Sequence, residues 1–203
     1  MIIFTGLKFI HILAMALPKS TVSRTLKHTR SIKIEFFWRE DELWDIEARL
    51  TDVKTHSVPT KARLIEPFEP IHNLCLRLTV DQEGQILDAI ASSDNVPFSG
   101  YCETIHPNYK KMIGLNVTKG FRQGIRERFP NAERCTHLNE LGAMIPTAAI
   151  QTLNFSDVSK KRREIGGNSD QKPFELENCH ALQMDAPAVA VFYPKWFTGK
   201  PQN

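Results

Sequence analysis

The sequence predicts an α+β domain: an antiparallel sheet of about four strands packed against two or three helices, with a docked C-terminal segment. Three observations carry this. Four runs between residues 31 and 91 alternate apolar and polar side chains with the period of a half-buried strand. After Ser92 the period lengthens to that of amphipathic helices. A chain of 203 residues, 41% of them hydrophobic, is long enough for one well-buried core and short for two.

In the first run, residues 31–38, Ile32, Ile34 and Phe36 face one way and Lys33 and Glu35 the other. The polar tetrad at 39–42 reads as a turn. Residues 43–53 alternate again, with Trp44, Ile46, Ala48 and Leu50 opposed to Asp45, Glu47, Arg49 and Thr51, so the two runs make a hairpin. Residues 56–70 carry three prolines and read as a loop. The next strand spans 74–80, with Leu74, Leu76, Leu78 and Val80 on one face and Cys75, Arg77 and Thr79 on the other. Residues 81–84 turn the chain, Gly84 supplying the permissive backbone, and 85–91 return.

The helical half opens with a loop at 94–107 that contains Cys102. Pro107 starts a short helix carrying Tyr109, Met112 and Ile113. Thr118 is the expected cap of a second helix, in which Phe121, Ile125 and Phe129 recur every four residues. Arg122, Arg126 and Arg128 take its wet side, and Gly120 and Gly124 permit close packing. Thr136 is the expected cap of a third, striped by Leu138, Leu141, Ile145, Ala149 and Leu153, with Pro146 placed to kink or divide it. The expected organisation is a flexible or over-extended N-terminus (1–25), one globular domain (26–197) with a mobile surface segment at about 156–172, and a tail (198–203).

Charge excludes one class of partner. A net charge of +3, with 26 Lys and Arg interleaved among 23 Asp and Glu, gives no dense basic face for nucleic acid. Four cysteines without a C-x-x-C spacing do not make a secreted disulfide framework, which points to a reducing cytoplasm. Residues 1–16 are apolar and end in Ala14-Met15-Ala16, like a signal cleavage site, but Lys8 and His11 interrupt them and no basic region precedes them. They are too short to span a bilayer, so no membrane partner is expected, and they read as an over-extension or loose tail with Met15 an alternative start. A true signal would reverse the cysteine argument.

The chemistry centres on Cys135-Thr136-His137-Leu138, a thiol and an imidazole at a helix start, where negative charge is favoured. One reading joins Cys102, Cys135 and His137 with Cys179 and His180 as ligands for zinc or an iron–sulfur cluster. A second makes Cys135 the nucleophile of an enzyme on a small acyl or aromatic substrate, with His137, His180 or His72 as base. A third brings His28, Arg30, Asp45, Asp52, His72 and Arg77 to one sheet end to hold a small acid. Partners are therefore a metal ion or a small molecule. Against these stand buried core thiols and surface salt bridges.

Several stretches carry a family likeness. His28-Thr29-Arg30-Ser31-Ile32, Leu43-Trp44-Asp45-Ile46-Glu47, Leu50-Thr51-Asp52-Val53-Lys54 and Pro70-Ile71-His72 resemble the bacterial family called domain of unknown function 2889. So do Leu76-Arg77-Leu78-Thr79-Val80-Asp81, Cys102, Cys135-Thr136-His137-Leu138, Gln151-Thr152 and Cys179-His180, over about residues 26–197. The resemblance implies a cytoplasmic bacterial protein and no established activity; genes of the family often lie among those for aromatic or acyl-CoA catabolism. In order of elements, a hairpin, a cysteine, a helix and a cysteine opening a long helix, the chain is also similar to NifU-like iron–sulfur scaffolds. Those have a further cysteine between the two, whereas residues 103–134 here contain none.

Overall fold

The computed structural model describes residues 17–130, 133–155, 172–173 and 175–199. Alternation in the first half is realised as four long strands: β1 His28–Trp38, β2 Trp44–Lys54, β5 Pro70–Val80 and β6 Ile86–Asn95. Between β2 and β5 the proline-rich loop folds into a two-stranded hairpin, β3 Val58–Pro59 with β4 Leu64–Ile65. The long strands form one antiparallel sheet in the order β1-β2-β5-β6, so α+β is the class observed. Registers are direct, and each β2 residue stands between its two partners: Ile46 between Phe36 and Leu78, Ala48 between Ile34 and Leu76, and Leu50 between Ile32 and Leu74. In β2 and β5 these rungs are buried completely or nearly so. Each buried aliphatic side chain contributes about 1.5–3 kcal/mol. Trp38 and Trp44 meet edge to face at 5.0 Å and close the first hairpin. Gly84, at φ 82°, takes the left-handed position in the β5–β6 turn.

The other face of the sheet stays wet. Its charges pair across strands, Arg77 with Glu47 at 2.6 Å and Arg49 with Asp94 at 2.9 Å. Cys75 sits half-buried among them, its thiol pushed up by burial.

Helices cover the apolar face. A run of 3-10 helix spans Cys102–Met112, followed by α1 Phe121–Arg128 and α2 Thr136–Phe155. The 3-10 run begins at Cys102, where a loop was expected, because Tyr109 and Met112 are drawn fully into the core. Thr118 does not cap α1: its hydroxyl is donated to Asn116 Oδ1 (2.8 Å), and Gly120 occupies the capping position at φ 65°. Thr136 is the first residue of α2 and not its cap. Pro146 lies inside α2, which continues past it, held by the buried stripe Leu138, Leu141, Ile145 and Ala149. A Cβ on Gly142 would lie 3.4 Å from Ile125 and Met112 and 3.5 Å from Leu76, which puts α2 against α1, the 3-10 run and β5 together. Gly124 is the closest approach in α1, since a Cβ there would meet Leu115 at 2.4 Å.

The chain divides into two compact units, 1–150 and 151–203. In the second, a 3-10 turn His180–Leu182, a short helix α3 Pro187–Phe192 and a 3-10 turn Pro194–Trp196 follow one another, with Leu176 and Val189 buried. Residues 1–16, read as a loose or over-extended start, lie outside the described residues, as do 156–171 of the segment expected to be mobile and 200–203 of the tail. Among the described residues no helix is long and apolar enough to cross a membrane.

The start of α2 is pinned by one hydroxyl. Tyr109 stacks on Phe129 at 5.1 Å, and its Oη donates to Asn139 Oδ1 (2.8 Å) while accepting from the Cys135 amide (3.2 Å). Tyr109→Phe keeps the ring but strands both partners, and is expected to lower the unfolding free energy by about 1–3 kcal/mol. Urea denaturation checks this; an unchanged midpoint would remove the hydroxyl from the account.

Candidate functional site

The apolar rungs of the sheet continue in register into an ionisable one. Two residues beyond Ile32, Leu50 and Leu74 stand Arg30, Asp52 and His72, directly opposed and pointing to the same covered face. The ladder becomes irregular between Asp52 and Val53, so this rung ends the regular pairing of β2 with β5. Asp52 is 3% exposed. A carboxylate so placed must find partners or give up its charge.

Asp52 finds four donors. Oδ1 accepts from Arg30 Nε (2.8 Å) and His28 Nε2 (3.1 Å); Oδ2 accepts from Arg30 Nη2 (2.8 Å) and His72 Nδ1 (3.0 Å). Arg30 thus grips the carboxylate with two parallel bonds, the strongest arrangement of this pair. Its Nη1 reaches Glu140 Oε2 at 2.8 Å, joining the sheet to α2. One turn earlier on the same helix, His137 lays its ring over His72, centroids 3.9 Å apart and planes tilted by 37°. One ligand atom each from Asp52, His72 and His137 lies within 4.8 Å of the others.

Burial works against the charge of Asp52, but Arg30, then His28 and His72, outweigh it and hold the carboxyl at about 2. His72 is pushed below its ordinary value by burial, and then by the neighbouring His137, with Asp52 opposing both. Its Nδ1–H turned to Asp52 leaves Nε2 with a free lone pair. The arrangement can bind a cation, or accept a proton at a fixed point.

The residues expected from sequence separate into three places. His28, Arg30 and His72 do meet, on Asp52, while Asp45 accepts from Thr79 (2.7 Å) and Arg39, and Arg77 pairs with Glu47 on the opposite face. Of the Cys/His set, His137 alone enters the ligand grouping found among the described residues. Cys102 opens the 3-10 run and Cys135 precedes α2, both half-buried, with Cys135 held through its backbone by Tyr109. Cys179 and His180 are exposed residues of the second unit.

The sequence profile described as "Protein of unknown function (DUF2889)" matches residues 28–151. The chain belongs to the DUF2889 family. The match begins at His28 and takes in Arg30, Asp52, His72, His137 and Glu140, and it stops short of Cys179 and His180. No curated protein and no solved structure matches the chain, so the likeness to NifU-like scaffolds rests on order of elements alone.

In this DUF2889 chain the sequence relates His72 to His137 only as alternative bases for Cys135, and it carries no expectation for Glu140. A signal for the join was present. The inward rows His28-Arg30-Ile32-Ile34-Phe36, Ile46-Ala48-Leu50-Asp52 and His72-Leu74-Leu76-Leu78 all turn ionisable at the same physical end once β2 and β5 run antiparallel.

Acid stability follows with a definite sign. Asp52 titrates lower folded than unfolded, so its contribution, about 2 kcal/mol, is complete above about pH 4 and lost as pH falls toward 2. His72, also lowered, makes the unfolded chain take up a proton first, so stability begins to fall as pH drops below about 6.5. In chelator-treated protein, urea midpoints measured from pH 8 to pH 3 are expected to decline steadily on the acid side. Asp52→Asn is expected to cost about 3 kcal/mol at pH 7, since it removes the carboxylate that Arg30 grips with two bonds, and to flatten the lower part of that decline. A variant with the parent's acid profile would show that Asp52 is not its source.

Proposed function

We propose that the chain binds a divalent metal ion of the zinc or iron(II) class through Asp52, His72 and His137. The observation that carries this is the approach of one carboxylate oxygen and two imidazole nitrogens to within 4.8 Å of one another. Ligand bonds of about 2.0–2.2 Å hold neighbouring donors about 3–4 Å apart, so closure asks for about 1 Å of movement. His137 is half-buried, and its side chain is the member placed to move.

Two imidazoles and one carboxylate leave coordination positions open to a water or a substrate oxygen, the pattern of catalytic rather than structural sites. The set contains no thiolate, so the reading is a single ion and not an iron–sulfur cluster. His72 and Asp52, whose Nδ1 and Oδ2 lie 3.0 Å apart, would give up that hydrogen bond to take part in holding the ion. Arg30 and His28 keep Asp52 oriented from its other side, as partners behind metal ligands do. Glu140 holds Arg30 in turn. The net charge of Asp52, Glu140 and Arg30 is negative by one, which favours a cation.

Equilibrium dialysis against Zn²⁺ and Fe²⁺ followed by elemental analysis tests this. One ion per chain is expected, with His137→Ala and His72→Ala each weakening binding by at least about tenfold. At 100 times the dissociation constant the ion adds about 2.7 kcal/mol to unfolding, visible as a rise in Tm that is absent from His137→Ala. Cys135→Ala is expected to retain the ion. Loss of metal in Cys135→Ala but not in His137→Ala would move the site to the thiolates and defeat the proposal.

A further inference from the structure

The first turns of α2 wall a second cavity, on the flank next to α1. It measures about 290 Å³ and is lined by Arg122, Ile125, Arg126, Arg134, Asn139 and Ala143, with Thr136 and Glu140 completing the α2 side. Spacing explains the convergence: Arg122 and Arg126 stand four apart on α1, and Thr136, Asn139, Glu140 and Ala143 share one face of α2.

Its charges are unlike those elsewhere on the molecule. A cavity of about 350 Å³ on the wet face of the sheet is also charged, but its Arg77, Lys33 and Arg49 are each paired with a carboxylate. Around the α1–α2 cavity the single acid, Glu140, is committed to Arg30. Arg122 spends Nε on the Ala143 carbonyl (3.1 Å), and Arg126 and Arg134 have no acidic partner among the described residues. A second observation is independent of the arginines. Asn139 is 9% exposed, and while its Oδ1 accepts from Tyr109, its Nδ2 is buried without any partner. Buried amide donors are rarely left so. Thr136 adds the amide end of a 20-residue helix, whose first-turn N–H groups have no partners within the helix.

We propose that this cavity binds a small organic anion: a carboxylate or phosphate head carried on a short apolar body. Arg126 and Arg134 hold the head, with Asn139 Nδ2 as a further donor, and Ile125 and Ala143 floor the body. The volume lies at the lower limit of pockets that enclose whole ligands, which suits a small one. None of Asp52, His72 and His137 lines it, so the assignment stands apart from the metal reading.

Isothermal titration of the full chain in chelator at low ionic strength, with phenyl phosphate, hexanoate and inorganic phosphate as probes, decides the matter. Saturable binding of phenyl phosphate or of hexanoate is expected, the one that binds identifying the head group. Arg126→Gln/Arg134→Gln, both at exposed positions, is expected to weaken it by at least about tenfold. His137→Ala is expected to leave it unchanged. The proposal is overturned if neither organic probe saturates at millimolar concentration, or if the double variant binds as the parent does. Inorganic phosphate binding as tightly as phenyl phosphate would also overturn it, since the apolar floor would then contribute nothing.

Discussion

Keeping Asp52 ionised while out of water is the condition on which this end of the molecule depends. A carboxylate has room for about four hydrogen bonds, and Asp52 uses all of them on three residues. Those residues come from β1 and β5, the two neighbours of its own strand, so the carboxylate fastens three strands side by side. Arg30 carries the same network into α2 through Glu140. Register, helix placement and the approach of His137 to His72 are therefore one problem: a slip of one residue in β2 would turn Asp52 to the wet face and leave Arg30 and His72 without it.

How much of this the amino-acid sequence discloses varies with the range of the interaction. Strand faces are local, and Ile46-Ala48-Leu50 and Leu74-Leu76-Leu78 declare them by alternation alone. The hairpin β1–β2 is nearly as legible, because four polar residues allow little choice of register. Helix starts are less so: Asn116, two residues before Thr118, takes the hydroxyl that would have capped α1, a competition invisible to propensity. The site itself needs two long-range facts. One is the register of β5 on β2 across the intervening β3–β4 hairpin; the other is which turn of α2 lies over the sheet end. Neither is encoded in a local motif, so His72 and His137, 65 positions apart in the chain, read as unrelated residues. The cysteines are conspicuous because thiols are chemically distinctive; Asp52 is legible as one of several polar residues at a sheet end, and its place at the centre of them is not.

The first turn of α2 does three things at once. Its inward stripe, Leu138 and Leu141, closes the core. One flank offers His137 to the Asp52 rung, and the other offers Thr136 and Asn139 to the arginine-lined cavity, with Glu140 between. Tyr109 fixes the turn from below through the Cys135 amide and Asn139. Glu140 is the residue common to both flanks: it lines the cavity and pairs with Arg30, which grips Asp52.

Stability alone gives no reason for an ionisable rung in this position. Three successive rungs of the same strands are aliphatic or aromatic, and a fourth of that kind would extend the core at no desolvation cost. Replacing a buried ion pair by well-packed hydrophobic residues is often neutral, or stabilising by about 1–4 kcal/mol. The chain instead places Arg, Asp and His where Ile, Leu and Leu stood two residues earlier, and accepts a cluster whose loss of any one member strands the rest. A rung that specified register only would need Arg30 and Asp52. It would not need His72, nor a second imidazole stacked on it at 3.9 Å, since two such rings repel when both are protonated. Crowding two imidazoles beside a carboxylate makes physical sense when something positively charged is to come between them. That surplus of coordinating atoms, beyond what the fold requires, is the reason for reading the Asp52 rung as a binding site.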